Sequence, residues 1–126
     1  MNLNEFFNNL ASNNSRNFKI EELKIHAEDK LLKEVIRLAL DPFTNFYIKK
    51  IPEYTATGKS SLDWGIDGLN ELSSRIVTGN AAIDWLTRIL SDLSVDDAKV
   101  IERIIKKDLR CGVSVSTANA VWKGLI

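Results

Sequence analysis

Apolar side chains recur along this chain at steps of three and four residues, the spacing that gathers them on one face of a helix. Leu3, Phe6, Phe7 and Leu10 form the first such stripe, with Asn2 or Asn4 placed to cap it and the polar run Ser12-Asn13-Asn14-Ser15 to end it. Phe18, Ile20, Leu23 and Ala27 predict a second helix over 18–27. Asp29 can cap a third, carrying Leu31, Leu32, Val35, Ile36, Leu38 and Ala39. It stops at Asp41-Pro42, because the residue before proline avoids the helical region. Phe43, Phe46, Tyr47 and Ile48 predict a short helix over 43–50. From Ile51-Pro52 to about Gly65 the chain is rich in Thr, Ser, Gly and Lys, and a loop is expected, with Leu62 and Trp64 tucked into the core.

A helix over 66–77 follows, broken by Thr78-Gly79-Asn80 and resumed over 81–90 by Ile83, Leu86, Ile89 and Leu90. Ser94, with Asp97 three residues on, resembles a capping box. The helix it opens is expected to reach Leu109 or Arg110, where Gly112 can close it in the left-handed conformation. Ser114 or Ser116 caps a last helix through Trp122. Clean strand alternation is absent, apart from a weak trace at Gly112–Ser116. The expected fold is all-α: one compact domain, residues 1–126, of about six to eight short helices. A chain of 126 residues, 44% hydrophobic, is long enough for one core.

Net charge is zero, but its distribution is uneven. Residues 63–97 carry seven acidic groups against Arg75 and Arg88. Residues 98–126 carry Lys99, Arg103, Lys106, Lys107, Arg110 and Lys123 against Glu102 and Asp108. At 100° per residue, Lys99, Arg103, Lys106 and Arg110 fall within about 60° of one another, opposite Ala98, Ile101, Ile104, Ile105 and Leu109. Such a face can simply solvate a helix, or it can bind phosphate. The turn Arg110-Cys111-Gly112-Val113-Ser114-Val115-Ser116 favours the second use, since a helix N-terminus offers unpaired N–H groups and a partial positive charge. Arg75 with Thr78-Gly79-Asn80 looks like a weaker copy of the same device, and two such turns could grip both backbones across a minor groove. Lys49-Lys50 is a further phosphate contact or a solvated pair. Asp108 falls on the apolar side and is expected to cap the next helix or pair with a base. Trp64, Trp85 and Trp122 read as core, and His26 as surface.

Other chemistries find no support. No apolar run reaches the roughly 18–20 residues that span a bilayer, and Met1–Glu5, without a basic region before an apolar stretch, is not expected to be a signal peptide. Cys111 has no partner for a disulfide, which points to a reducing, cytoplasmic compartment. Cys111 and His26 cannot build a zinc site, and Cys111 as a nucleophile would have only His26 as base. There is no Walker loop, GxGxxG, HExxH or CxxC. No catalytic residue, cofactor or metal is expected.

Leu31–Leu38, Tyr47-Ile48-Lys49-Lys50, Thr78–Ile83 and above all the long block Asp108–Ile126 resemble the N-terminal DNA-binding domain of bacteriophage-type ATP-dependent DNA ligases. The similarity runs in order along nearly the whole chain, with residues 52–66 the poorest match. The resemblance implies a helical domain that binds the minor groove of nicked double-stranded DNA through phosphates, without sequence specificity, in replication, repair and recombination. It implies contacts at Thr78, Gly79, Asn80, Arg110, Gly112, Val113, Ser114 and Ser116, to which the basic residues Lys106, Lys107 and Lys123 are added. The nucleotidyltransferase and OB-fold domains would be partners in the parent chain and would use ATP and Mg. Their KxDG lysine motif is not in this sequence, so the chain is expected to be non-enzymatic alone: a piece of a ligase or a stand-alone relative, working in the infected host cell if phage-borne. The alternative reading is a helical protein–protein adaptor that meets partners through its acidic and basic regions.

Overall fold

Side-chain caps set most of the helix starts in the computed structural model, which describes residues 1–126. Asn2, Ser15, Asp29, Ser61, Ser94 and Ser114 each accept a backbone N–H from the first turn that follows. The eight helices are α1 (Leu3–Ala11), α2 (Arg16–Ile25), α3 (Lys30–Leu40), α4 (Leu62–Gly68), α5 (Asn70–Ser73), α6 (Gly79–Asp92), α7 (Val95–Ile105) and α8 (Val115–Val121). The all-α expectation holds. No helix is long and apolar enough to cross a membrane.

Helix α7 is the hub. It packs against α1, α3, α4 and α6, while α2 packs against α8. Its buried Ala98, Val100, Ile101, Ile104 and Ile105 span an arc of about 160° at 100° per residue. Phe7, Leu10, Leu32, Ile36, Leu86 and Ile89 from the surrounding helices join the same core, fully buried. Trp122 joins this core and Trp85 packs against it, and they donate their indole N–H groups to the carbonyls of Ala27 (3.0 Å) and Gly68 (2.8 Å) respectively. His26 is half-buried and meets the Phe6 ring edge-on, with centroids 5.2 Å apart.

Three expectations about element boundaries are corrected. Residues 43–50 are not helical. Asp41 accepts from the Phe43 N–H and the Thr44 hydroxyl, both at 2.9 Å, and these local bonds compete with a helical turn. Tyr47 then adopts φ +62°, which no helix continues. Only Phe46 of the aromatic group is buried; Phe43 is 93% exposed. The long connection from α3 to α4 is instead tied down by Tyr54 to Glu102 and by Thr57, Gly58 and Ser60 to carbonyls at 91–93.

Second, the helix expected over 66–77 begins at Leu62 and breaks after Gly68 into α5. A Cβ on Gly65 would meet Leu93 Cδ1 at 3.0 Å, and one on Gly68 would meet Ile89 Cδ1 at 3.0 Å. Both glycines belong to a helix packed closely on α6 and its end, so the stretch 62–65 is helical where a loop was expected.

Third, α7 ends at Ile105, not at Leu109 or Arg110. Lys107 takes φ +56°, and the N–H groups of Lys107 and Asp108 return to the carbonyls of Ile104 and Arg103. This is a Schellman closure with lysine where glycine is usual. The lysine is tolerated there because its ammonium donates to Leu38 O (2.5 Å) and Asp41 O (2.6 Å), at the C-terminal end of α3. Asp108 is therefore exposed, not on the apolar side, and its Oδ1 accepts from the Arg110 N–H at 2.9 Å.

Gly112 is left-handed as expected, at φ +74°, but it turns the chain after α7 has closed. It lies over Lys19, a buried lysine whose ammonium donates to Leu10 O (2.9 Å) and to Asn13 O, at the end of α1. A Cβ at residue 112 would meet Lys19 Cε at 2.9 Å. Gly112→Ala combines backbone strain with this contact and is expected to cost about 1–3 kcal/mol. Urea melts of the variant and wild type check it; a change within ~0.5 kcal/mol would remove the constraint argued for this turn.

Candidate nucleic-acid interface

The polar strip that α7 leaves uncovered faces α1, and the two helices bound a cleft of about 380 Å³. Its lining contains no hydrophobic residue: Asn4 and Asn8 come from α1, and Lys99, Glu102, Arg103 and Lys106 from α7, with Arg110 beyond. The four cations placed on one helical face by the sequence pattern do share one site. Arg110 arrives by another route, through the turn after α7, where it takes φ +56°.

The cations have different roles. Arg103 is the floor. Its guanidinium donates to Asn4 Oδ1 (3.1 Å), Asn8 Oδ1 (2.8 Å) and the Leu109 carbonyl, and lies 5.5 Å over the Phe7 ring. Burial pulls its pKa below the ordinary arginine value. Lys99, Lys106 and Arg110 are exposed on the rim. The ion pairs of the whole chain lie elsewhere, joining Arg37 to Glu34 and Asp41. No carboxylate therefore lies within ion-pair distance of any cation in the cleft.

The glycine turn adjoins this region. Gly112, Ser114 and Ser116 are exposed, and Val113 is buried. Ser114 Oγ accepts from the Thr117 N–H at 3.2 Å, so this hydroxyl already caps α8. Ser116 Oγ accepts from Arg16 at 3.1 Å, which adds a cation that sequence reading missed. Cys111 beneath the turn is buried, and burial pushes its thiol pKa up, the opposite of an activated nucleophile. Lys123 is exposed beyond α8. Lys107 is turned inward: two of its donors hold the end of α3, and burial lowers its pKa.

Thr78, Gly79 and Asn80 form the exposed start of α6. Gly79 is left-handed at φ +58°, and no side chain caps the helix. Arg75 lies 4.3 Å over the Tyr47 ring, both residues with left-handed backbones. No hydrogen bond or ion pair joins this turn to the one at 110–116.

Asn4, Asn8, Arg16 and Tyr54 were not legible as site residues in the sequence. Asparagines four apart on an amphipathic helix carry no chemical signal until the fold sets them against α7.

Asp96 lies beside the cleft in the first turn of α7. Its carboxylate accepts from the side-chain amides of Asn2 (2.8 Å) and Asn4 (3.0 Å), which hold it below the usual carboxylate range. Its folded-state pKa is depressed, so its contribution to stability is present above the unfolded value near pH 4 and is lost as pH falls through the folded value. Asp96→Asn should be less stable than wild type at pH 7, with the difference shrinking below about pH 4. Denaturant melts at pH 7 and pH 3 check this; a pH-independent difference would refute it.

No family model matches this chain. It is 38% identical over 130 residues to the DNA ligases of Enterobacteria phages T4 and T6, a match covering 97% of this chain and 26% of each ligase. The chain thus spans about a quarter of the length of those relatives. Among solved structures it is similar to Pmar-Lig_Pre., with a TM-score of 0.80 and 31% identity, over 95% of this chain and 29% of that one. It is also similar to Pmar-Lig_PreS3, with a TM-score of 0.78 and 32% identity over the same shares. The resemblance to phage-type ligases read from the residues is borne out by both the sequence and the fold.

Proposed function

From this kinship with phage DNA ligases, we propose that the chain is a ligase's DNA-holding domain. It binds nicked duplex DNA without sequence specificity, through backbone phosphates along the minor groove. It presents the nick to nucleotidyltransferase and OB-fold domains that use ATP and Mg, in replication, repair and recombination. The observation that carries the reading is the α1–α7 cleft: polar throughout, with no carboxylate paired to any of its four cations.

Phosphate contacts fix position and orientation without reading sequence, as an enzyme that seals nicks in any sequence requires. Lys99, Lys106 and Arg110 supply the charge at the cleft, and Arg103 holds its floor. The glycine turn with Arg16, Gly112, Ser114 and Ser116 extends the surface, and Lys123 adds a cation beyond α8. Thr78, Gly79 and Asn80, with Arg75, are the second point of contact. Lys107 supports the turn from within and is not expected to touch phosphate. With few phosphates neutralised, binding by the chain alone is weak and salt-sensitive.

Fluorescence anisotropy with nicked duplex is expected to show micromolar binding at low salt that falls steeply by ~200 mM. Lys106→Glu with Arg110→Glu should weaken it by roughly tenfold or more and lower the salt slope by about two. Absence of salt-dependent binding would favour the adaptor reading, and a folded double variant that binds equally would displace the site.

A further inference from the structure

The cleft holds its carboxylates in an unusual way. Glu102 sits one helical turn from both Lys99 and Lys106, the spacing at which a helix normally forms ion pairs. It forms none. Its Oε2 accepts instead from the Tyr54 hydroxyl at 2.5 Å. Tyr54 comes from the long connection between α3 and α4, 48 residues away in sequence. The neighbouring acids follow the same rule: Asp96 is held by Asn2 and Asn4, and Asp108 by the backbone N–H of Arg110. One carboxylate lining the cationic cleft and two beside it thus each accept from neutral donors.

We infer that the cleft is a phosphate-oxyanion site kept open by these neutral donors, with Tyr54 setting its readiness by holding Glu102 away from Lys99 and Lys106. This deepens the DNA-binding reading and rests on it for the identity of the phosphate. An ammonium that must first leave a carboxylate binds a phosphate less well than one with no internal partner. Tyr54 is thus a positioning residue: it touches no phosphate itself. Its phenol is well suited to the task, because burial and the Glu102 carboxylate raise its pKa and keep the proton in place to be donated.

The claim separates from a merely structural role for Tyr54 by a double-mutant cycle. Tyr54→Phe removes only the hydroxyl and lets Glu102 swing to a lysine. An exposed lysine–glutamate pair is worth about 0.2–1 kcal/mol, so the Kd for nicked duplex should rise by about 1.5- to 5-fold. Glu102→Gln should lower the Kd, and adding Tyr54→Phe in that background should then change nothing.

Equal weakening in both backgrounds would mean that Tyr54 only anchors the connection. No weakening in the wild-type background would also overturn the proposal. Thermal melts of all four proteins verify folding, and Glu102→Gln, which leaves the Tyr54 ring in place, tests the electrostatic half should Tyr54→Phe be unstable: unchanged or weaker binding would overturn the proposal.

A parallel NMR titration with inorganic pyrophosphate distinguishes the sources of phosphate. If wild type fails to bind duplex, yet pyrophosphate moves Lys106 and Arg110 signals with the same dependence on residues 54 and 102, the DNA reading falls and the oxyanion site stands. If only duplex binding shows the cycle, the site is specific to the nucleic-acid backbone. If neither ligand shows it, the site itself is refuted.

Discussion

Helix α7 has to bury side chains over an arc of about 160° and still present charge, and the rest of the molecule is arranged around that division. Four helices cover it, and what remains is a polar strip facing α1. Arg103 marks the border. Its guanidinium is drawn down over Phe7 and held by Asn4, Asn8 and the Leu109 carbonyl. A guanidinium so desolvated requires acceptors for several of its N–H groups at once. Meeting that need joins α1 to α7 and to the turn that follows.

Two lysines apply the same logic at helix ends. Lys19 binds the Leu10 carbonyl in the last turn of α1 and that of Asn13 just beyond it, and Lys107 binds those of Leu38 and Asp41 at the end of α3. Unsatisfied C-terminal carbonyls attract cations, and both ammonium groups reach them from another part of the chain. Each lies beside a left-handed turn: Gly112 over Lys19, and Lys107 in its own. The conformation of the 105–114 segment is thus fixed from beneath by two lysine side chains turned into the protein. The basic residues of this region divide into two working groups, structural at 19, 103 and 107 and outward-facing at 99, 106 and 110.

That division explains what could be read from the chain alone. The caps at Asp29 and Ser94 and the apolar stripes of α1, α3, α6 and α7 are local signals, and they located these helices, though not the end of α7. The clustering of Lys99, Arg103 and Lys106 is likewise a property of one helix. The helical expectation over 43–50 failed because Asp41 closes a turn with its own side chain, a competition that aromatic spacing does not reveal. Residues up to Gly65 suggested a loop because the close packing of Gly65 against Leu93 is invisible without the partner element. Lys107 looked like another outward cation because its acceptors at Leu38 and Asp41 lie more than sixty residues away. Asn4, Asn8, Arg16 and Tyr54 enter the site only through tertiary contact.

The zero net charge of the chain, finally, does not weigh against a phosphate-binding surface. At physiological salt, charges on the exposed surface are screened over about 8–10 Å, so a phosphate in the cleft senses its immediate lining more than the total. What matters there is whether the nearby carboxylates cancel the cations at contact distance. They are turned to amide, phenol and backbone N–H donors, and none of them lies at ion-pair distance from Lys99, Lys106 or Arg110. A helix with the composition of α7 could as easily have neutralised itself through Glu102. The long connection carrying Tyr54 lies against it and prevents that, so an irregular segment far away in sequence determines how strongly the helix's charge is felt outside.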